Sequence, residues 1–309
     1  MVKTNTQLIE TIKRKSYIPA DQNTFTDQEL LDIANEELQS IVVPEILSTR
    51  EDYLVRKDTV NLTGQTGQVL DIPSRAVGQQ LRELTVTLGN VEHNLARYDI
   101  EDRVYDNVGG NIYGFDLTGN QINLKGAMTG ILNIYYYLRP GNLTEVKNAR
   151  QITAIDTGAN TITVAALPST WSTASIFDVV KGKPGFDFKQ LSLTVSAIDT
   201  GTNTITFNES LNSSGWDALI VGDWLTLEET SPIAQIPTEW QNYLAEAATA
   251  FIMESQGDSQ GFDKAMMRKE ELYKNAVKMI SPRVDGQSRR FVPRRNRGAF
   301  TFNSLYRNY

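Results

Sequence analysis

Apolar residues recur at helical spacing near both ends of the chain. Between residues 25 and 43 they fall on one helix face, at Leu30, Leu31, Ala34, Leu38, Ile41 and Val42. Thr26 and Glu29 have the spacing of a capping box, and Phe25 can pack on Leu30 as a hydrophobic staple. Pro44 is expected at or beyond the helix end, because proline interrupts a helix interior. The pattern predicts a helix over 25–43.

The C-terminal third predicts two further helices. Thr238 and Gln241 repeat the capping-box spacing, and Gly257 suits a helix stop. The first helix has its apolar stripe at Trp240, Leu244, Ala247 and Phe251. The second, roughly 262–280, has its stripe at Tyr273, Ala276, Val277 and Ile280 and ends at Ser281-Pro282. Because the connection is short, the two helices are expected to pack antiparallel, with the 26–43 helix against them.

Between these helices the pattern changes to strands. Glycine-rich turns alternate with short apolar runs such as 130–138, GILNIYYYL. Successive side chains of a strand point to opposite faces, so residues 135–137 predict aromatic rings on both faces, each of them covered. The stretch 92–106 is interpreted as a short helix.

An internal duplication occupies residues 150–230. AIDTGANTIT at 154–163 and AIDTGTNTIT at 197–206 are identical at nine of ten positions, with an offset of 43. Each copy predicts a strand, a polar turn and a strand, and a tryptophan follows each, at Trp171 and Trp216. Two repeats are too few for a solenoid, so they are expected to pair as a small β-sandwich or barrel.

The predicted fold class is therefore α+β. A small helical bundle from the N- and C-terminal helices would carry an inserted antiparallel β region and an extended C-terminal arm. The predicted boundaries are 1–75 for the N-terminal helices and first strands, 76–149 for a β-rich part, 150–231 for the duplicated β domain, 232–282 for the helical hairpin and 283–309 for the arm.

Composition narrows the classes of function. The chain has 309 residues, 40% of them hydrophobic, which is typical of a globular protein. It has no cysteine, which excludes disulfides, thiolate nucleophiles and cysteine metal sites. No apolar run approaches the roughly 18 residues of a membrane helix, so no membrane partner is expected.

Charge is unevenly distributed along the chain. The whole sequence has a net charge of −7, whereas residues 281–309 hold seven arginines and one aspartate. That leaves 23 basic and 36 acidic residues, a net charge of −13, on residues 1–280. An acidic body with a basic arm favours head-to-tail contacts between copies, or an arm that meets an acidic partner. The alternative is a solvated tail.

The arm also carries aromatic and aliphatic residues between its arginines. Its candidate partner-binding residues are Arg283, Arg289, Arg290, Phe291, Val292, Arg294, Arg295, Arg297, Phe300, Phe302, Leu305, Tyr306, Arg307 and Tyr309. They could contact nucleic acid by phosphate pairing and stacking, or a protein as an extended peptide. A protein partner is favoured, because the acidic body would repel DNA.

Candidate chemistry is sparse. Asp-Thr-Gly occurs at 156–158 and 199–201, as in aspartic proteases, but 43 residues are too few for one protease lobe, and Asp, Gly and Asn favour tight turns. His93 is the only histidine and is expected at the surface. The acids Asp99, Glu101, Asp102 and Asp106 lack the spacing of a calcium loop. The sequence therefore predicts a non-enzymatic protein with no catalytic residues, cofactor or metal site.

Several blocks of the chain resemble tailed-bacteriophage head–tail connector, or adaptor, proteins. They cover about half of the sequence, in the same order as in those proteins. The blocks are 26–55 (TDQELLDIANEELQSIVVPEILSTREDYLV), 71–82 (DIPSRAVGQQLR), 114–124 (GFDLTGNQINL), 136–140 (YYLRP) and 237–283, which opens PTEWQNYLAEAATAFIMES and ends ISPR.

The resemblance implies a homo-oligomeric ring of twelve copies docked beneath the portal protein at the head–tail interface of the virion, after assembly in the host cytoplasm. The ring would extend the channel through which DNA passes without sequence recognition, and would present a platform for the next tail ring or for a tail-tube or nozzle protein. The C-terminal segment would grip the portal. The duplicated region at 150–230 departs from compact adaptors.

Two alternatives remain open at this point. A tail- or fibre-associated β protein that binds a receptor or carbohydrate would be favoured by exposed Trp171 and Trp216. A hydrolase of aspartic type would rest on Asp156 and Asp199 alone.

Overall fold

The computed structural model describes residues 3–18, 25–62, 69–98, 114–125, 128–182, 188–215 and 217–281. Helices and mainly antiparallel sheets are combined in one chain, so the predicted α+β class is confirmed. The described residues bury their apolar side chains in three clusters: one in the helical bundle, one beneath two small sheets and one inside a barrel.

Helices from both ends of the chain form the bundle. They are α1 (Asn5–Lys15), α2 (Asp27–Glu37), α3 (Val43–Thr49), α4 (Thr238–Ser255) and α5 (Ser259–Ile280). Leu30, Leu31, Leu244 and Trp240 are fully buried in their shared core. The predicted packing of the 26–43 helix against the C-terminal pair is confirmed.

The prediction that a helix ends at Pro44 was wrong. A π-helical turn, Leu38–Val42, joins α2 to α3, and the Val43 N–H donates to the Leu38 carbonyl five residues earlier. Pro44 then lies in the first turn of α3, directly after the wider π-helical turn, whereas in a regular α-helix its ring would clash with the carbonyl four residues earlier. The wider turn therefore lets the chain continue as a helix.

The capping box predicted at the start of α2 is present, and a second capping box begins α1. At α2 the Thr26 hydroxyl accepts from the Glu29 N–H, and Glu29 accepts from the Thr26 N–H at 2.6 Å, as predicted. The same arrangement at Thr4 and Gln7 begins α1, a helix that the sequence analysis did not identify.

The capping box predicted at α4 was wrong. Pro237 occupies the N-cap position, and the Gln241 amide donates to the Ala234 carbonyl instead. The apolar stripe is also broken, because Phe251 is 42% exposed. In α5, by contrast, Ala276 and Ile280 are buried and Val277 packs against the core as predicted.

Sixteen strands are present in the described residues. They are β1 (Val55–Asn61), β2 (Val69–Asp71), β3 (Ala76–Leu88), β4 (Val91–Asn94), β5 (Ala96–Arg97), β6 (Gly114–Thr118), β7 (Gln121–Lys125), β8 (Ile131–Leu138), β9 (Asn142–Leu143), β10 (Arg150–Asp156), β11 (Thr161–Val164), β12 (Ile176–Val180), β13 (Phe188–Asp199), β14 (Thr204–Phe207), β15 (Trp224–Leu227) and β16 (Thr230–Ser231).

Two four-stranded sheets lie over the second core, in the orders β1-β8-β3-β4 and β2-β7-β6-β5. On β8, Tyr136 is buried, whereas Tyr135 and Tyr137 lie half-buried on the other face and donate to Glu92 and Glu51. The prediction that both faces of β8 are covered was therefore wrong. The second face is only half-buried, and its tyrosine hydroxyls donate to carboxylates. Residues 92–94 and 96–97 are strands, which overturns the predicted helix there.

The duplicated region forms a closed barrel in the order β10-β11-β14-β13-β12-β15. The two repeats meet antiparallel at β11 and β14, where Ile162 faces Ile205, its equivalent 43 residues later. A second junction pairs Asp178 of β12 with Thr226 of β15. The repeats are therefore related by local two-fold symmetry.

The third strand of each repeat pairs outside its own repeat. β12 lies between β13 and β15 of the second repeat, and β15 lies between β10 and β12 of the first. The barrel is closed by this exchange. Its wall also contacts the body, since Val180, Phe188 and Trp224 pack into the core beneath the sheets.

Candidate functional site

The predicted partner-binding arm, Arg283–Tyr309, lies outside the described residues. The described chain ends at Ser281, one residue after the last turn of α5. The surface that leads up to residue 281 is formed mostly by α5.

Helix α5 is long but only lightly buried. Gly257, with a φ of +75°, ends α4, and the Asp258 side chain caps α5 by accepting from the Gly261 N–H at 2.9 Å. Of the 22 residues of α5, only Ala265, Ala276 and Ile280 are buried. Most of the helix surface is thus available for contacts with another segment.

A groove of about 690 Å³ lies along this exposed helix, between α3, α4 and α5. Two methionines and two tyrosines provide its apolar surface, and three carboxylates and one lysine provide its charges. Its lining residues are Glu45, Tyr243, Asp263, Met266, Met267, Lys269, Glu270 and Tyr273. We refer to it as the Met-Tyr groove.

The tyrosines of the groove are held by hydrogen bonding and ring contacts. The Tyr273 hydroxyl donates to Glu45 at 2.8 Å, and this bond raises the pKa of Tyr273 above its usual value. Burial, together with the nearby carboxylate of Glu45, raises the pKa of Tyr243 to about 12. Trp240 packs edge-on against Tyr243, with ring centroids 5.2 Å apart. The groove therefore has a rigid, uncharged aromatic floor.

The charges at the rim are mainly negative. Lys269 lies 5.8 Å from the centroid of the Tyr243 ring and 3.5 Å from Glu37 of α2. Its positive charge is therefore paired within the bundle. Met267 is 73% exposed and Met266 is 42% exposed. Such a surface suits a segment that combines cationic and aromatic side chains, because arginine can pair with carboxylates and stack on tyrosine.

A second cavity, of about 340 Å³, lies where the barrel meets the body. Its central group is Arg75, which is 7% exposed and lies 2.8 Å from the fully buried Asp178 of the barrel. Glu228 lies 3.6 Å from the Arg75 guanidinium and Glu229 lies 3.8 Å from it, and the guanidinium sits over Phe188.

The Arg75 cluster joins the barrel to the body. Asp178 also accepts N–H groups from Ser192 and Glu229, each at 2.9 Å. Burial raises the pKa of the Asp178 carboxyl, and Arg75 opposes that rise. Because the guanidinium is already surrounded by carboxylates, the cluster is best explained as a buried ion pair that fixes the barrel in place.

The two Asp-Thr-Gly segments form tight turns, as predicted. Asp156 accepts from the Gly158 N–H at 2.9 Å, and Asp199 accepts from the Gly201 N–H at 2.8 Å. Asp156 ends β10 and Asp199 ends β13, and β11 and β14 lie between these two strands in the barrel wall. Each carboxylate is bound within its own exposed turn, whereas the two carboxylates of an aspartic protease lie in contact and share a proton.

The remaining candidate residues form no further site among the residues that the structure describes. His93 is exposed on β4, as predicted, and Trp171 is buried against Phe177 inside the barrel. Trp216 and the acids from Asp99 to Asp106 lie outside the described residues.

Among the residues that are described, no three histidine or carboxylate groups are placed to hold a metal ion. No helix in this described part is long and apolar enough to cross a membrane.

The sequence matches no protein-family model, and no curated protein matches it.

The sequence analysis missed both the Met-Tyr groove and the Arg75 cluster. Adjacent methionines at 266 and 267 on an otherwise polar helix face were a usable signal for the groove. The Arg75 cluster joins residues more than 100 positions apart, so no local pattern indicates it.

Proposed function

We propose that this chain is a non-enzymatic structural protein of a tailed-bacteriophage virion, a head–tail connector. Copies form a ring below the portal protein, the ring extends the DNA channel, and the arm at 283–309 docks on the portal. The next tail ring, or a tail-tube or nozzle protein, binds the opposite side of the ring. DNA passes through the channel during genome ejection without sequence recognition.

One observation carries this proposal. The segments that resemble connectors are scattered along the sequence but meet in space. Residues 26–55 and 237–281 contribute to the core of the bundle, while 71–82, 114–124 and 136–140 contribute to the core beneath the two sheets. The barrel at 150–227 is additional to this body. The resembling segments therefore occupy two cores that are joined by contacts such as the hydrogen bond from the Gln39 amide to the Pro140 carbonyl at 3.0 Å, as expected if they specify a shared body.

The charge distribution supports an assembly role. The acidic body ends in the half-exposed helix α5, and the arm that follows carries seven arginines. Arginine side chains make bidentate pairs with carboxylates, which favours a protein partner with acidic pockets. The receptor-binding alternative depended on exposed tryptophans, and Trp171 gives it no support because that ring is buried.

The experiment is mass measurement of the purified chain, alone and mixed with a portal ring, by native mass spectrometry or mass photometry. We expect a portal-bound ring with full-length protein. Replacing Arg289, Arg290, Arg294 and Arg295 by alanine should abolish docking.

A matched control removes four cations from α5, by changing Lys264, Arg268, Lys274 and Lys278 to alanine. These side chains are exposed, so the control changes net charge equally and leaves the arm intact. Docking that persists without the arm arginines, or a full-length chain that remains a monomer and ignores the portal, would refute the proposal.

A further inference from the structure

The Met-Tyr groove is an exposed apolar surface with a negatively charged rim. Met267 is 73% exposed and Met266 is 42% exposed. The rim carries Glu45, Asp263 and Glu270 against one cation, Lys269, which also contacts Glu37. Exposed apolar patches rimmed by polar groups are characteristic of binding sites. The groove therefore suits an occupant with positive charge and aromatic rings.

The chain itself contains such a segment. Residues 289–297, RRFVPRRNR, hold five arginines and one phenylalanine and no acid. We propose that this segment folds back along α5 and occupies the Met-Tyr groove of its own chain. The inference does not rest on the connector function, because it concerns the purified protein before any partner binds.

The distances permit the fold-back. From Ser281 back to Asp263, α5 rises about 27 Å at 1.5 Å per residue. Residues 282–297 reach about 53 Å when extended at 3.3 Å per residue, which leaves enough chain for a reversal. Asp285-Gly286 is a dipeptide that favours turns, and it lies between the end of α5 and the first arginine pair. A tether this short also holds the segment at an effective concentration in the millimolar range.

The reversal also predicts a register. If the chain turns over residues 282–287, an extended strand antiparallel to α5 brings Phe291 beside Tyr273, which lies about 12 Å from the helix end. Arg294 and Arg295 then fall beside Glu270 and Met267, and Arg297 falls beside Asp263. In this register Phe291 would lie against the tyrosines of the groove floor, and the arginines would lie against the carboxylates of its rim.

The absence of cysteine from the sequence makes a direct test possible. Full-length protein with Met267→Cys and Asn296→Cys would contain two thiols, and mild oxidation should join them within one chain. The control keeps Asn296→Cys and places the second thiol at Arg268, which is exposed, lies outside the groove lining and is almost as far from Ser281 along α5 as Met267 is. We expect the 267–296 disulfide to form at least about tenfold faster than the 268–296 disulfide, because the groove adds to the concentration that the tether alone provides.

Charge variants distinguish binding of the segment in the groove from random collisions between the two thiols. Asp263→Lys with Glu270→Lys should reduce the rate of the 267–296 disulfide severalfold, and 0.5 M salt should reduce it in the parent protein. Glu254→Lys with Glu271→Lys changes equally exposed carboxylates outside the groove lining and should leave the rate unchanged. Circular dichroism confirms that each variant is folded.

Equal rates for the two cysteine pairs would overturn the proposal, as would a rate that ignores the groove charges. Disulfide-linked dimers at nanomolar protein concentration would also overturn it, because they would place the arm in the groove of another copy. The portal-docking experiment is independent of all these outcomes.

Discussion

Removing the cation of Arg75 should lower the free energy of unfolding, because Arg75 pairs with Asp178 where the barrel meets the body. The proposed variant is Arg75→Met, which keeps the length and apolar stem of the side chain but removes the cation beside Asp178. Asp178 is fully buried and Arg75 nearly so, so the variant leaves a buried carboxylate without its cation. Removal of one partner from a buried pair costs about 3–5 kcal/mol.

The contacts that remain set the expected value within that range. Asp178 keeps two backbone N–H donors, from Ser192 and Glu229, which continue to stabilise its charge. We therefore expect the lower limit, about 3 kcal/mol lost from the free energy of unfolding. With a urea dependence near 3 kcal/mol per molar, the transition midpoint should fall by about 1 M.

The pH dependence gives a second signature. Burial raises the native pKa of Asp178 above that of the unfolded chain, so the native state binds this proton more tightly. The contribution of Asp178 to stability therefore falls as pH rises from the unfolded pKa, near 3.9, through the native pKa. Without Arg75 the native pKa rises further. The deficit of Arg75→Met should consequently be smallest near pH 4 and largest at neutral pH.

Urea unfolding followed by tryptophan fluorescence measures the effect, since Trp171 and Trp224 lie in the barrel and Trp240 lies in the bundle. The double variant Arg75→Met with Asp178→Leu should recover part of the loss, because it leaves no unpaired charge. A deficit below about 1 kcal/mol that does not change between pH 4 and pH 8 would refute the assigned role of the pair.

Three further variants test local features, each by thermal unfolding monitored with circular dichroism. Thr26→Ala removes the N-cap of α2 and should cost about 1 kcal/mol, a fall of about 2 °C in Tm. Gly257→Ala should cost about 1 kcal/mol through its φ of +75° alone, since a Cβ there would meet no atom within 4 Å. Asp156→Ala with Asp199→Ala should lower the Tm of the barrel, because each turn loses its side-chain acceptor, whereas conservative changes to Asn should lower it less.

The parts of the fold that were predictable from sequence are those fixed by neighbouring residues. The cap at Thr26 and the stop at Gly257 depend on side chains and backbone within a few positions, and both are present. The duplicated hairpins were predictable for the same reason. The helix 5–15 carries an equally local signal, in Thr4 and Gln7, that was overlooked.

The features that could not be predicted depend on contacts between distant residues. Gln241 was expected to cap α4, but its amide bonds to the Ala234 carbonyl and to the Lys3 N–H because α1 lies beside it. Phe251 continues a helical stripe in sequence yet is 42% exposed, since no element within the described part of the chain covers that side of α4. The candidate groove likewise needs α3, α4 and α5 together. The arm that should fill it was predictable only as a charge pattern.

The exchange of third strands in the barrel has a consequence for its ancestry and for protein engineering. Neither repeat contains the neighbours of its own β12 or β15, so a single repeat is topologically incomplete while two separate copies are complete. This is the arrangement expected when gene duplication joins the two chains of an intertwined dimer. A peptide containing one repeat alone should therefore be isolated as a homodimer, and the segment that links β12 to β13 should tolerate cleavage better than any strand should tolerate deletion.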